Sequence, residues 1–202
     1  MTQTRTFLHI GCGHRRQRDT TPGFNGPEWR ELRFDIDPAV QPDVIGTMVD
    51  LSAIPEGSMD AIFSSHNLEH LYAHEVEVAL SEFVRVLKPD GFLVVICPDL
   101  QRVCKLVAED RLLEAAYVSP AGPISPIDML YGLRASLRLG NHFMAHRCGF
   151  TPSVLIKVLQ TAGFSTVAAQ SFPESFNLWA LASKAPLAKE QILYLARLHF
   201  GQ

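Results

Sequence analysis

Residues 75–99, EVEVALSEFVRVLKPDGFLVVICPD, hold a helix, its stop signal and a buried strand in direct succession. Val76, Leu80, Phe83, Val84 and Leu87 recur at steps of three and four, the repeat of an amphipathic helix. Lys88 suits the last turn of that helix, and Pro89 and Gly91 end it. Residues 92–97 are apolar throughout, as in a central strand covered on both faces. A helix feeding such a strand is the repeating unit of a parallel sheet, which calls for further strands on either side in the sequence.

Towards the N-terminus, residues 60–64 (DAIFS), 44–49 (VIGTMV), 32–36 (LRFDI) and 6–10 (TFLHI) read as four further strands. Residues 14–28 carry Pro22, Gly23, Gly26 and Pro27 and no apolar helical period, which predicts a loop with at most one helical turn where a first crossover helix is usual. Towards the C-terminus, Asp99 is placed to cap a helix running to about Ala116. Residues 117–150, dense in turn formers and histidine, read as a lid or substrate-binding insertion. Thr151 and Pro152 open a helix that Gly163 ends, and residues 164–172 and 176–183 form a close strand pair. A tail helix over 186–202 carries Leu187, Leu193, Leu195 and Leu198, a stripe suited to covering the sheet or meeting a second subunit in a homodimer. The expectation is one α/β domain over residues 1–202, doubly wound around a mainly parallel sheet, with one antiparallel strand near an edge.

With 202 residues, 47% of them hydrophobic and 19% charged, the chain has the means for one large core. A net charge of -3 offers no broad surface for nucleic acid. The longest apolar run, residues 92–97, is far too short for a membrane span, and residues 1–5 lack the apolar region of a signal peptide. Cys12, Cys97, Cys104 and Cys148 form no C-x-x-C pair, so a reducing cytoplasm is the expected setting.

In such sheets ligands bind beyond the carboxyl ends of the strands. There stand Gly11, Cys12 and Gly13 after the first strand, Asp35, Ile36 and Asp37 after the second, and Asp50 after the third. The two glycines let the backbone turn and approach a ligand without a Cβ in the way. The third glycine of a dinucleotide fingerprint is missing, since its position is Arg16, and no phosphate-cradling P-loop follows. A carboxylate at Asp35 can accept hydrogen bonds from both hydroxyls of a ribose, and one at Asp50 from an amino group of adenine. Asp37, directly before Pro38, reads as a turn residue.

The succession LHIGCG, FDIDP, VDLSAIPEGSMDAIFSSHNLEHL and EFVRVLKPDGFLVVICPD resembles the class I S-adenosylmethionine-dependent methyltransferases of type 11 across about residues 7–99. That resemblance implies a seven-stranded Rossmann-like methyltransferase fold and S-adenosyl-L-methionine as cofactor. It implies that Gly11, Cys12 and Gly13 face the methionine part, Asp35 and Ile36 the ribose side, Asp50 and the Leu51 amide the adenine, and Ser65 and His66 the wall after the fourth strand. A small-molecule acceptor is the expected substrate. The HRRQR run at residues 14–18 departs from the family's small-residue glycine loop.

Two patterns compete for the histidines. His66-Asn67-Leu68-Glu69-His70 spells the inverted zinc-peptidase signature, with His74, Glu75, His142 and His146 as candidates for a third ligand. The same string fits the methyltransferase segment, with Ser65 capping a helix and Glu69 near its positive end, so a resident metal is not the expectation. From the insertion, His142, His146, Asp128 and Tyr131 are the candidate bases for an acceptor that must lose a proton. A non-catalytic domain of the same fold that binds S-adenosylmethionine or S-adenosylhomocysteine is the alternative reading, and a zinc hydrolase built on His66, Glu69 and His70 the more distant one.

Overall fold

The computed structural model describes residues 4–201, so residues 1–3 and 202 at the two ends of the expected domain lie outside the described residues. Its seven-stranded sheet is built from β1 (Arg5–Ile10), β2 (Trp29–Asp35), β3 (Val44–Ile45), β4 (Met59–Ser65), β5 (Leu87–Pro98), β8 (Thr166–Phe172) and β9 (Asn177–Ser183). The spatial order is β3-β2-β1-β4-β5-β9-β8, and a separate hairpin joins β6 (Tyr117–Ser119) to β7 (Gly122–Ile124). The pairs from β3 through β5 are parallel, and β9 runs antiparallel to both β5 and β8. The strand order reverses beside β1 and β4, where the loops after β1 and β4 leave on opposite sides and open a crevice.

The alternation of β5 shows how the layers form. Leu93, Val95 and Cys97 join the core under α1 (Ala73–Val86) and α5 (Pro152–Ala162), while Phe92, Val94 and Ile96 join the core on the opposite face. The first core takes Val76, Ala79, Leu80, Phe83 and Val86 from α1, the stripe visible in the sequence, although the helix ends at Val86 and Leu87 already pairs with Met59.

The opposite face is closed in an unexpected way. The loop over residues 14–28 contains two single 3-10 turns, Gln17–Asp19 and Pro22–Phe24, and Phe24 is fully buried. Its ring stacks on Phe7 at 4.3 Å between centroids and meets Trp29 edge-on at 5.0 Å and His199 at 4.4 Å. The Gln17 side-chain amide donates to the Phe24 carbonyl at 2.7 Å, tying the two turns together. One aromatic plug therefore covers sheet that a first helix would cover. The rest falls to α6 (Lys189–Phe200), which buries Ile192, Ala196 and Phe200 there. The expected tail stripe is met in part: Leu187 and Leu195 pack against this core beside Ile192, Ala196 and Phe200, while Leu193 and Leu198 are exposed.

Two other expectations change. The third strand stops at Ile45 because Gly46 lies against the Phe34 ring, with no room for a Cβ, and the chain then turns with the Asp50 amide donating to the Thr47 carbonyl at 3.0 Å. Asp99 caps α2 (Leu100–Ala108) through the amides of Gln101 and Arg102, but that helix ends well before Ala116, at a turn where Asp110 takes the left-handed φ of 58°. Between α2 and α5 the insertion holds the β6–β7 hairpin, α3 (Pro126–Tyr131), α4 (Arg134–Arg138) and a 3-10 turn at His142–Met144. Among the described residues no helix is long and apolar enough to cross a membrane.

Candidate active site

The carboxyl ends of β1, β2 and β4 wall a cavity of about 620 Å³, within the span of roughly 300–1,000 Å³ usual for small-molecule sites. Gly11 and Gly13 turn there with φ of 60° and 51°, left-handed values that glycine adopts without strain. Gly11 is required for a second reason. A Cβ on it would lie 1.9 Å from Oδ1 of Asn67, whose side chain crosses the turn and donates from Nδ2 to the Ile10 and Ser65 carbonyls at 2.9 and 3.1 Å.

Asp35, at the end of β2, is buried with its two oxygens accepting from the Gly13 amide at 2.8 Å and the Asp37 amide at 2.9 Å. It fixes the glycine turn, and each oxygen retains lone-pair capacity for a hydroxyl. Arg33 of β2, also buried, reaches beneath the same turn and donates to the carbonyls of Gly13, Arg15, Val40 and Gln41. Asp37 caps the next short turn by accepting from Ala39, as its place before Pro38 suggests. Ile36, 44% exposed, and Met48 give the cavity apolar surface beside Asp35.

Ser65 and His66 reach the same cavity from β4. His66 takes φ 57°, an uncommon value for a non-glycine residue that is held by its amide donating to Ile96 at 2.8 Å and by the neighbouring Asn67 brace. Asp50 and Leu51 do not join this group. Asp50 lies on a separate groove with Glu77 and Glu82, and its carboxylate accepts from the Ser52 amide at 2.9 Å. The Leu51 amide donates to Glu82 at 2.8 Å, so it has no hydrogen left for an adenine. Because β3 ends early, Thr47 and Met48 stand at the cavity where a carboxylate was expected.

A second cavity of about 240 Å³ lies under the insertion and shares Arg15, His66, His70 and Met144 with the first. Two adjoining compartments, one at the glycine turn and one roofed by the insertion, suit a cofactor and an acceptor.

Comparison with known proteins agrees with this geometry. A family model described as a methyltransferase domain matches residues 8–95. A S-adenosylmethionine-dependent methyltransferase from Methanosarcina mazei superposes with a TM-score of 0.60 at 15% identity, covering 93% of this chain and 95% of that one. One from Archaeoglobus fulgidus gives 0.57 at 15% identity, covering 91% and 87%. The 1,6-didemethyltoxoflavin-N1-methyltransferase of Burkholderia thailandensis, solved with its substrate and S-adenosylhomocysteine, gives 0.57 at 17% identity, covering 91% and 72%. A search of curated proteins finds no sequence match.

The chain has the Rossmann-like fold of S-adenosylmethionine-dependent methyltransferases, and residues 8–95 carry the match to a methyltransferase domain. Within that fold, the expected bases separate clearly. His142 is exposed and lines neither cavity, and Tyr131 is 63% exposed and also outside both. Asp128 borders the second cavity, yet its carboxylate accepts from the Ser125 hydroxyl at 2.6 Å and from Nε of Arg134 at 2.7 Å. Burial pushes its pKa up, but Arg134 and Ser125 outweigh that and hold it far below the usual carboxylate range, so it is a clasp for α3 rather than a base. His146 does line the second cavity, with Nδ1 2.8 Å from the Met129 carbonyl, and burial lowers its pKa so that it is neutral near pH 7.

The H-x-x-E-H segment is no helix. Leu68–His70 is a single 3-10 turn, α1 starts only at Ala73, and Ser65 caps nothing. Glu69 is 1% exposed, with Oε1 3.3 Å from Nδ1 of His66. Burial pushes its pKa up, and the facing His66, with His70 and His146, draws it below the usual range in net. His74 is exposed on α1, and Glu75 is occupied by the Tyr72 amide at 2.8 Å. Cys12, buried in the glycine turn, is pushed up to about 11 by burial, which leaves a thiol and no nucleophile there. Sequence reasoning missed Asn67, Arg33 and Met48. Only Arg33 left a trace, as a charge inside an otherwise apolar strand run.

Proposed function

We propose that the chain transfers a methyl group from S-adenosylmethionine to a small-molecule acceptor held in the second cavity. One observation carries the reading: the cavity at the glycine turn and Asp35 and the insertion's cavity share His66 and His70 in their walls. When bound, the cofactor supplies a sulfonium-activated methyl group and leaves as the thioether. Gly11, Cys12 and Gly13 give a backbone surface close enough for the methionine part, and Asp35 accepts from ribose hydroxyls with the lone pairs that the Gly13 and Asp37 amides leave free. Ile36 and Met48 offer apolar faces to a flat base. Shape and apolar contact take the part that a carboxylate at Asp50 was expected to play.

The protein's share of the chemistry is alignment, since methyl transfer is an in-line displacement that gains most from fixed geometry. Met144, Met129 and Phe176 shape the acceptor side, Arg15 offers it a positive charge, and His66 or His146 takes the proton of an acceptor that must lose one. The reading is tested by incubating the protein with methyl-labelled cofactor and pooled hydroxyl, amine and heterocyclic acceptors. Labelled product that disappears in Asp35→Ala supports it. Absence of product with every pool, despite bound cofactor, would favour the non-catalytic alternative.

A further inference from the structure

Glu69 presents a difficulty that methyl transfer does not explain. Its carboxylate is 1% exposed, and neither oxygen has a hydrogen-bond partner among the described residues. A buried carboxylate met only by one imidazole at 3.3 Å, and without hydrogen bonds otherwise, is costly unless a further cation meets it. The surrounding groups are three imidazoles: His66 at 3.3 Å, and His70 and His146, each of which brings a ring nitrogen within 4.8 Å of a Glu69 oxygen and of each other.

The two outer histidines are oriented as metal ligands are. Nδ1 of His70 lies 3.1 Å from the Ala145 carbonyl and Nδ1 of His146 lies 2.8 Å from the Met129 carbonyl. A carbonyl only accepts, so each Nδ1 carries the hydrogen, and Nε2 is the nitrogen left to face a metal. Backbone carbonyls that fix the tautomer in this way are the common outer support of metal-binding imidazoles. The position is also a useful one, because His70 lines both cavities and His146 the acceptor side.

We propose that Glu69, His70 and His146, with His66 alongside, bind one first-row divalent cation at the junction of the two cavities. One carboxylate and two or three imidazoles favour zinc, cobalt or manganese over calcium or magnesium. An open coordination position there would hold an oxygen of the acceptor, which narrows the acceptor to one carrying a hydroxyl or carboxylate near its methylation site. That last step rests on the methyltransferase reading; the metal site does not. The hydrolase pattern expected His66 and His70 as ligands on one helix, with Glu69 as base and His146 among the candidates for a third ligand, whereas the fold supplies Glu69 and His70 from a 3-10 turn and His146 from the insertion.

The test is cobalt binding by chelator-stripped full chain, followed by the visible ligand-field spectrum and by zinc displacement, with S-adenosylhomocysteine binding measured on the same samples. The site predicts one cobalt per chain and an affinity at least tenfold lower in both Glu69→Gln and His146→Gln. Two variants are used because His146 is the less buried, and retained S-adenosylhomocysteine binding would show an intact fold. No cobalt uptake by protein that binds S-adenosylhomocysteine would overturn the site and leave the methyltransferase reading standing. Uptake unchanged in both variants would overturn it equally. Cobalt uptake lost in the variants, in a protein that does not bind S-adenosylhomocysteine, would support the site and count against the methyltransferase reading alone.

Discussion

Truncating Phe24 to alanine tests whether one loop aromatic does the work of a missing helix. The ring is fully buried and has Phe7, Trp29, Phe92 and His199 around it at 4.3–6.1 Å between centroids. A buried Phe→Ala change costs about 3–5 kcal/mol in transfer and cavity terms. At roughly 2–4 °C per kcal/mol for a chain of 150–250 residues, Tm should fall by about 6–20 °C. Urea denaturation followed by the fluorescence of the buried Trp29 gives the free energy directly, and Phe24→Leu, which refills most of the space, should recover more than half of it. The effect should reach the site, because the Gln17 side chain ties the Phe24 carbonyl to the segment that continues the glycine turn. S-adenosylhomocysteine affinity is therefore expected to weaken in Phe24→Ala under conditions where the protein is still folded. A loss below about 1 kcal/mol, against the few kcal/mol that burial demands, would refute the claim that Phe24 anchors residues 14–28.

Further outcomes follow from single residues. His199, buried on α6 beside Thr21, is pushed down to about 4 by burial and then by Arg5. The unfolded chain binds that proton near pH 6.5, so stability is full above this pH, falls as pH drops through it and levels off near the folded value. The full difference is about 3.5 kcal/mol at roughly 1.4 kcal/mol per pKa unit. Chemical denaturation between pH 7 and pH 4.5 should show this slope and His199→Gln should lack it; the same slope in the variant would assign it elsewhere. Gly11→Ala adds the Asn67 clash to a left-handed φ, whereas Gly57→Ala has the same φ of 60° with nothing within 4 Å. Gly57→Ala should thus cost only the backbone strain of about 1–2 kcal/mol, and Gly11→Ala should exceed it and lower cofactor affinity at least tenfold. Equal stability losses and equal affinities in the two would show that the Asn67 brace is unimportant.

The parts of this fold legible in the sequence are those that repeat. β1, β4 and β5 announce themselves as continuous apolar runs and α1 by buried residues at a helical period, and the antiparallel β8–β9 pair because a proline turn separates two apolar runs. The features that escaped depend on one residue meeting a distant one. Phe24 is a single aromatic between glycines, and its partners come from β1, β2, β5 and α6. Asp50 stood in the expected order after the third strand, but a strand of two residues and the turn at Thr47 carry it to another groove. His142 and His146 are four apart in the sequence, and only His146 reaches a cavity, because its ring is held by the Met129 carbonyl. Asp35 was expected to serve a ligand and has a second occupation, clasping the turn that would receive it.

The most direct measurement is calorimetric titration of the full chain with S-adenosylhomocysteine. The account predicts one molecule bound per chain, with an affinity that falls at least tenfold in Asp35→Ala and is unchanged in Asp50→Ala, whose carboxylate lies outside the cavity. Absence of binding, or binding that survives Asp35→Ala and is lost in Asp50→Ala, would contradict it.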